Sequence, residues 1–307
     1  MTRFTNLDAN ETLFFEKELD YMLAKSYDIV YPELMYDKVL PISSEVPAGA
    51  ETITYRQYDM VGHAKLIHSY ANDLPVVGAF GKEFTSKIYS QGVSFGYSMQ
   101  DVRNAAFGNV PLNQRLANAA RKAVLTQTND LAFYGDEEAG LQGFINHPNV
   151  NYYTVPADGT GSSQKWEVKT PDQILRDMNA AAVEVRSVTK SSEVVNTMIL
   201  PDKQYGHIAV TPRSSTSDTT ILEFFLRTSP WIKTVMPCYE LEGAAAGGED
   251  CFIMYNKSAD KLVLELPQPF ETFPVQEKGL YYEVPCHARY GGILVFYPKT
   301  IVQADGI

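Results

Sequence analysis

The residues most able to do chemistry are three consecutive carboxylates, Asp136, Glu137 and Glu138. Two carboxylates can act as general acid and base, and several oxygen ligands can hold a metal ion, when the side chains face one point. Consecutive residues point in different directions, and neither a histidine nor a further acid is spaced to complete such a site. The sequence therefore favours a solvated loop here.

The glycine-rich run and the histidines lack the neighbouring residues that phosphate binding, metal binding or catalysis would need. The glycine-rich run 243–248 could cradle a phosphate, but no Lys-Ser/Thr pair follows it and it opens no helix. The histidines show no H-E-x-x-H spacing, and the chain has no Gly-x-Ser-x-Gly elbow. They are His63, His68, His147, His207 and His287. We predict no catalytic residue, no cofactor and no metal site.

The three cysteines, Cys238, Cys251 and Cys286, are an odd number without C-x-x-C spacing. They lie in strand-like contexts such as residues 251–255. We expect buried free thiols, since a disulfide or a structural zinc site is poorly supported.

Composition limits the class of protein. The chain has 307 residues and is 45% hydrophobic, enough for one large domain or two smaller ones with real cores. Its formal net charge of -11 argues against a protein that wraps nucleic acid with a basic surface. No apolar run approaches 18 residues and the start has no secretory pattern, so we expect a soluble protein made in the cytoplasm, without a membrane partner.

The most informative element is a long β-hairpin predicted over residues 51–97. Period-two alternation marks an outgoing and a returning leg, each up to ~60 Å long at ~3.3 Å per residue. The alternating residues are Ile53, Tyr55 and Gln57 on the first leg and Val93, Phe95 and Tyr97 on the second. An isolated two-stranded ribbon is marginal in water, so we expect this one to lie on another copy of the chain.

The tip of this hairpin is apolar where an exposed turn is normally polar. Its candidate interface residues are Leu74, Pro75, Val76, Val77 and Phe80. We expect the tip to dock on an adjacent subunit; the alternative is a hairpin folded back on its own domain.

Four helices are predicted from apolar periodicity and capping signals. The longest opens at Pro111 and ends before Gly135, and a capping box at Thr170 to Gln173 starts another that ends near Val188. The other two span residues 11–27 and 219–227.

The predicted strands follow no regular βαβ series, which makes the fold class α+β. A strand-loop-strand spans 150–169, and 251–255 is predicted to pair with 262–266 as a hairpin. Single strands are predicted at 197–200, 208–210, 232–241, 280–284 and 293–297.

This order of elements resembles a tailed-bacteriophage major capsid protein of the Hong Kong 97 fold. The stretches that carry the resemblance are 19–21 through 33–36, 46–53, 134–136 and 140–146. The resemblance implies an N-terminal arm (1–50), an E-loop hairpin (51–97), a P-domain with its spine helix (98–169), an A-domain (170–265) and return strands to the P-domain (266–307).

The function implied by this resemblance is assembly into hexamers and pentamers of an icosahedral virion head around double-stranded DNA. The implied partners are other copies of the chain, a separate scaffolding protein, a portal and decoration proteins. The acidic net charge predicts only weak contact with packaged DNA. Two alternatives stay open: an encapsulin-like shell of a cellular compartment, and a carboxylate-dependent hydrolase with a protruding hairpin. Some relatives join a hairpin lysine to a neighbour's asparagine, and Lys82 is the residue in that place.

Overall fold

A computed structural model describes residues 31–66, 74–108, 112–214, 216 and 218–307. The chain divides into Met1–Glu33 and Leu34–Ile307, and the elements below belong to the second unit. The helix predicted over residues 11–27 lies outside the described residues.

Six α-helices and sixteen strands are assigned within the described residues. The helices are α1 Tyr36–Val39, α2 Met99–Gly108, α3 Leu112–Phe133, α4 Pro171–Val188, α5 Asp202–Val210 and α6 Ile221–Thr228. The strands are β1 Ile42–Ser43, β2 Thr52–Val61, β3 Gly78–Lys87, β4 Tyr89–Ser98, β5 Gly135–Asp136, β6 Leu141–Gln142, β7 Asn151–Thr154, β8 Thr197–Leu200, β9 Thr234–Pro237, β10 Cys251–Tyr255, β11 Leu262–Glu265, β12 Gln268–Thr272, β13 Gln276–Lys278, β14 Tyr281–Tyr290, β15 Gly292–Val295 and β16 Val302–Asp305.

A five-stranded mixed sheet in the order β7-β16-β10-β8-β9 forms the centre of the unit. Its middle strand β10 is buried along its whole length, and successive side chains enter two different hydrophobic clusters. Ile253 and Tyr255 join the cluster around Phe133 and Phe144. Phe252 and Met254 join the cluster around Trp166 and α4. The period of two in a strand thus builds one core on each face of the sheet.

The described residues form four smaller sheets as well. β1, β11 and β15 form one, β5 and β6 form another, and β2 with β3 forms the hairpin. In the fourth, β14 pairs with β12 and β13 and also with β4. The spine helix α3 packs mainly on β4 and touches β14 and β15.

The local signals for helices are confirmed. Helix α3 spans 22 residues within the predicted limits. At the start of α4, the Thr170 side chain accepts from the Gln173 backbone N–H, and the Gln173 side chain accepts from the Thr170 N–H, as the capping box predicts. Helix α6 begins two residues later than predicted, capped by Thr220.

The predicted returning leg of the hairpin is wrong. β2 pairs with β3, from Thr52 opposite Lys87 to Val61 opposite Gly78. Residues 93–97 belong to β4, which pairs over its whole length with β14. Each leg of the true hairpin therefore has ten residues and spans ~33 Å at ~3.3 Å per residue, about half the predicted length.

Three other strand predictions are wrong because their pattern was read too locally. Residues 251–255 and 262–266 do not pair with each other, since β10 lies in the central sheet and β11 pairs with β1 and β15. Residues 208–210 end helix α5. The second strand of 150–169 is a 3-10 helix over Trp166–Val168. Helix α2 was not predicted.

Candidate assembly surface

The base of the hairpin is fixed to its own subunit by one aromatic side chain. The Tyr55 ring stacks on Phe84 across the hairpin, at 5.1 Å and 13°, and meets Phe296 edge-on at 5.0 Å. Its hydroxyl donates to the Val295 carbonyl at 3.3 Å, and burial raises the pKa of this phenol. A second tie, 3.2 Å long, runs from Ser86 Oγ to the Gly291 carbonyl. The base therefore has one defined position on β15.

Beyond this base, the hairpin exposes a concentration of large apolar side chains, which we call the apolar tip. Val76 is 93% exposed and Leu66 is 99% exposed, so neither is covered by its own subunit. The exposed apolar side chains of the tip are Tyr58, Met60, Val61, Leu66, Leu74, Val76, Val77 and Phe80. Isolated apolar residues on a surface are ordinary, whereas a contiguous group marks a contact site.

The structure places the five predicted interface residues together on this tip. Leu74, Val76, Val77 and Phe80 are exposed, and Pro75 is half-buried. Sequence reasoning missed Tyr58, Met60 and Val61, because the outgoing leg was judged by its alternation rather than by what would cover it.

Polar pairs brace the two strands of the hairpin. Arg56 and Glu83 form an ion pair of 2.7 Å, with both side chains more than half exposed, and the hydroxyls of Thr54 and Thr85 lie 3.0 Å apart. An exposed ion pair adds well under ~1 kcal/mol, so these contacts set register more than stability. Lys82 Nζ lies 4.8 Å from the centre of the Phe84 ring.

Further exposed apolar side chains lie on α2 and in the turn before β14. Phe107 is 98% exposed and Leu280 is 76% exposed, and the Met99 N–H donates to the Leu280 carbonyl at 3.0 Å. The sequence signal was Leu280 beside Gly279, an apolar residue in a turn like those of the tip.

The residues considered for chemistry have structural roles. Asp136 Oδ1 accepts from the N–H groups of Glu138 and Ala139 at 2.9 and 3.1 Å, which makes a local turn. Across the described ranges, no group of three or more His, Cys, Asp or Glu side chains is arranged to hold a metal ion. All three cysteines are buried free thiols, as predicted, and burial raises the pKa of Cys251 to about 12.

A buried ion cluster fastens the loop before α4 to that helix. Lys169 Nζ lies 2.6 Å from Asp177 Oδ2 and 3.2 Å from Asp158 Oδ1, and Arg176 bridges both carboxylates. The Lys169 and Asp177 side chains have no solvent exposure. Because each buried charge has an opposite partner, the cluster is structural. Of the helices in the described ranges, none combines the length and apolar content needed to span a bilayer.

Comparison with solved structures identifies the fold. The chain is similar to the capsid of Myoviridae Phage XM1, with a TM-score of 0.83 and 15% identity over 96% of this chain and 99% of that one. It is also similar to the capsid of a native GTA particle (0.65; 11%; 94% and 96%). A virus-like particle from Pyrococcus furiosus matches less well (0.54; 12%; 87% and 91%). The fold is the α+β Hong Kong 97 type of phage capsids.

A family model for major capsid proteins matches residues 62–307, so the chain belongs to the major capsid protein family. It is a structural protein of a phage shell. Comparison with curated protein sequences gives no significant match.

Proposed function

We propose that the chain assembles into hexamers and pentamers that close as an icosahedral phage head around double-stranded DNA. In this assembly, the apolar tip of each subunit docks on the next subunit. In this proposal we assign the arm to residues 1–50, the E-loop hairpin to β2 and β3, the P-domain to 98–169 and the A-domain to 170–265. The protein acts by association and not by catalysis.

The observation that carries this proposal is the exposure of the apolar tip at the end of a hairpin whose base is fixed. Burying one large apolar side chain contributes about 1.5–3 kcal/mol. Docking would therefore gain several kcal/mol of binding free energy by burying the four exposed side chains Leu74, Val76, Val77 and Phe80. Each subunit presents the same four side chains to its neighbour.

Charge supports a shell that holds DNA without gripping it. The net charge is -11, so affinity from phosphate neutralisation is weak. Assembly then depends on protein partners: other copies of the chain, a scaffolding protein, a portal and decoration proteins. We infer synthesis in the host cytoplasm followed by residence in the virion.

The test is assembly of the purified protein, with co-expressed scaffolding protein where needed, followed by sedimentation and electron microscopy. We expect capsomers and closed shells with pentameric vertices, and these should persist after nuclease treatment because DNA does not hold them. A monomer that resists association at every concentration and salt would contradict the proposal. Particles that collapse on nuclease treatment would contradict the weak role of DNA.

The second candidate is a cellular compartment shell, since the fold also occurs in a virus-like particle from Pyrococcus furiosus. Particle contents separate the two: DNA-filled heads with tails indicate a phage shell, whereas small particles filled with protein indicate a compartment.

A further inference from the structure

β3 and β4 form nearly continuous extended chain, and their pairing partner changes at Ile88. β3 pairs with β2 and β4 pairs with β14. Between them, the Ile88 N–H donates to the Glu51 carbonyl at 2.9 Å. Upstream of Glu51 the described chain is no longer paired with this run. Among the described residues, β4 therefore has β14 on one side and an open edge on the other.

The register shows which groups of β4 face this open edge. Ser94 lies opposite Pro285, whose carbonyl accepts from the Phe273 N–H at 2.9 Å on the far side of β14. In an antiparallel ladder the N–H and C=O of one residue point the same way. Pro285 therefore points away from β4, and the backbone groups of Ser94 point away from β14.

Two contacts at the end of β4 agree with this assignment. The Ser98 N–H donates to Asp101 Oδ2 at 2.9 Å, away from β14. The next N–H, from Met99, donates to Leu280 at 3.0 Å on the β14 side. By alternation, the open edge presents Ser90, Gly92, Ser94 and Gly96. Within the described ranges, no backbone partner for these four amides is found.

This edge lacks the devices that normally prevent strands from pairing with other chains. β4 has ten residues, none of them charged and none proline. The opposite edge of the sheet is guarded by Pro269 and Glu271 in β12 and by Glu277 and Lys278 in β13. A long uncharged edge is a template for another strand.

We propose that the open edge of β4 receives a strand of the β2–β3 hairpin from a second copy of the chain. The proposal rests on the proposed function and names the surface on which the hairpin lies. The two contact surfaces differ, so the contact is head-to-tail and closes into rings when the rotation allows.

The hairpin fits this edge in length, hydrogen bonding and charge. Each of its strands has ten residues, like β4. Ile88 and Glu51 form a hydrogen-bonded pair across the hairpin. By alternation, the backbone N–H and C=O groups of Thr54, Arg56 and Tyr58 point to the outer edge of β2, where a third strand could pair with them. The charged hairpin residues meet no like charge on β4. A third strand also stabilises a ribbon that is marginal alone.

A groove beside the first half of β4 leaves room for the added strand. It has a volume of about 460 Å³ and lies between Ser90 to Val93 and helix α3. On the helix side its lining includes Ala123, Val124 and Gln127. Asp136 is the one charged residue of the lining, and the uncharged remainder can pack against a neighbouring strand.

Hydrogen exchange of the wild-type protein tests the edge directly. In monomers isolated at low concentration, the amides of Ser90, Gly92, Ser94 and Gly96 should exchange fast, while those of Val93 and Phe95 are protected by β14. In shells, all should be protected. If shells form but residues 89–98 exchange as fast in them as in monomers, the edge pairing is wrong while the proposed function is unaffected. Failure of the wild type to form shells would overturn the proposed function itself.

Substitution at Ser94 separates the open edge from folding. Ser94→Pro removes the outward N–H, whereas Ser94→Ala keeps it and serves as the matched control. We expect the alanine variant to assemble normally and the proline variant to melt at a similar temperature with at least a tenfold loss of shells. Equal assembly of the two would contradict the proposal.

Should Ser94→Pro not fold, Gly92→Lys gives the same test, because a side chain at Gly92 meets no atom within 4 Å in the subunit. Its normal assembly would count against the edge pairing.

Disulfide trapping identifies the strand that occupies the edge. Ser94→Cys is combined in one chain with a cysteine at Arg56, Tyr58 or Met60, one at a time. Covalent dimers in assembled shells from at least one combination are expected. If residues 89–98 are protected from hydrogen exchange in shells but no covalent dimer forms, another segment occupies the edge. That result would contradict pairing with the hairpin.

Discussion

The central sheet and the hairpin are both built from strands, but the inner strands of the sheet are buried whereas the hairpin is mostly exposed. All five residues of β10 are buried between two clusters, and its neighbour β8 is buried along its length. β2 has no fully buried residue and its outer six residues are exposed. The sheet is complete within one subunit, whereas the hairpin holds apolar surface that one subunit cannot cover. Substitutions in the sheet should therefore act on folding, and substitutions in the tip should act on assembly.

The two tryptophans give the largest expected difference in stability. Trp166 has no solvent exposure and its ring lies 5.4 Å from that of Phe252. Trp166→Ala should cost about 3–5 kcal/mol of unfolding free energy through a cavity in the core. Trp231 is half-buried beneath Arg186 and serves as control, with a smaller expected loss. Chemical denaturation of unassembled subunits measures both. Equal losses would mean that burial does not set this difference.

Tyrosines inside the hairpin give the next largest effect. Tyr55→Ala removes the stack on Phe84, the edge contact with Phe296 and the bond to Val295, and should cost about 1–2 kcal/mol. Tyr58→Ala, in the exposed part of the same strand, should leave subunit stability within ~0.5 kcal/mol. Thermal unfolding of both variants checks this. A larger loss at Tyr58 would show that the tip packs on its own chain.

Acid should lower the free energy of unfolding through Asp158, which forms ion pairs with Lys169 and Arg176. Burial favours its neutral form, but hydrogen bonds from Arg176 and Lys169 outweigh this and hold the pKa below its usual 3.8. A lowered folded-state pKa gives stability that is present above pH 3.8 and is lost as the pH falls through the folded value. Unfolding of the wild type should therefore become easier below about pH 4. Asp158→Asn should flatten this dependence, and an unchanged acid slope would contradict the role of Asp158.

The sequence predicted what depends on neighbouring residues and missed what depends on distant pairing. The capping box of α4 and the limits of α3 are local, and both are confirmed. The alternation at Val93 and Phe95 correctly indicated a strand, but its partner lies about 190 residues later in β14, and nothing local distinguishes that partner from β2. The short apolar run at 208–210 fits a strand as well as the last turn of a helix. Helix α2 has only ten residues and its described side chains are mostly exposed, so it has no buried face that would have drawn attention to it.

For the candidate surface, the sequence could identify the tip because apolar residues in a turn are themselves the anomaly. It could not identify the open edge of β4, because an edge exists only once the sheet order is known. The fixed base was likewise hidden, since Tyr55 and Phe296 are distant in sequence.

Substitutions in the apolar tip should have the smallest effect on subunit stability. They should nevertheless abolish assembly. Replacing Leu74, Val76, Val77 and Phe80 by serine leaves the base contacts of Tyr55 and Ser86 intact. Val210→Ser is the matched control, since Val210 is 79% exposed on α5, away from the hairpin. It should neither destabilise the subunit nor reduce assembly.

The most direct measurement is thermal unfolding of unassembled subunits beside electron microscopy of the same preparation, for the wild type, the four-serine tip variant and Val210→Ser. We expect the same melting temperature for all three proteins and closed shells for all but the tip variant. Intact shells of normal stability from the tip variant, or a sharp fall in its melting temperature, would contradict this expectation.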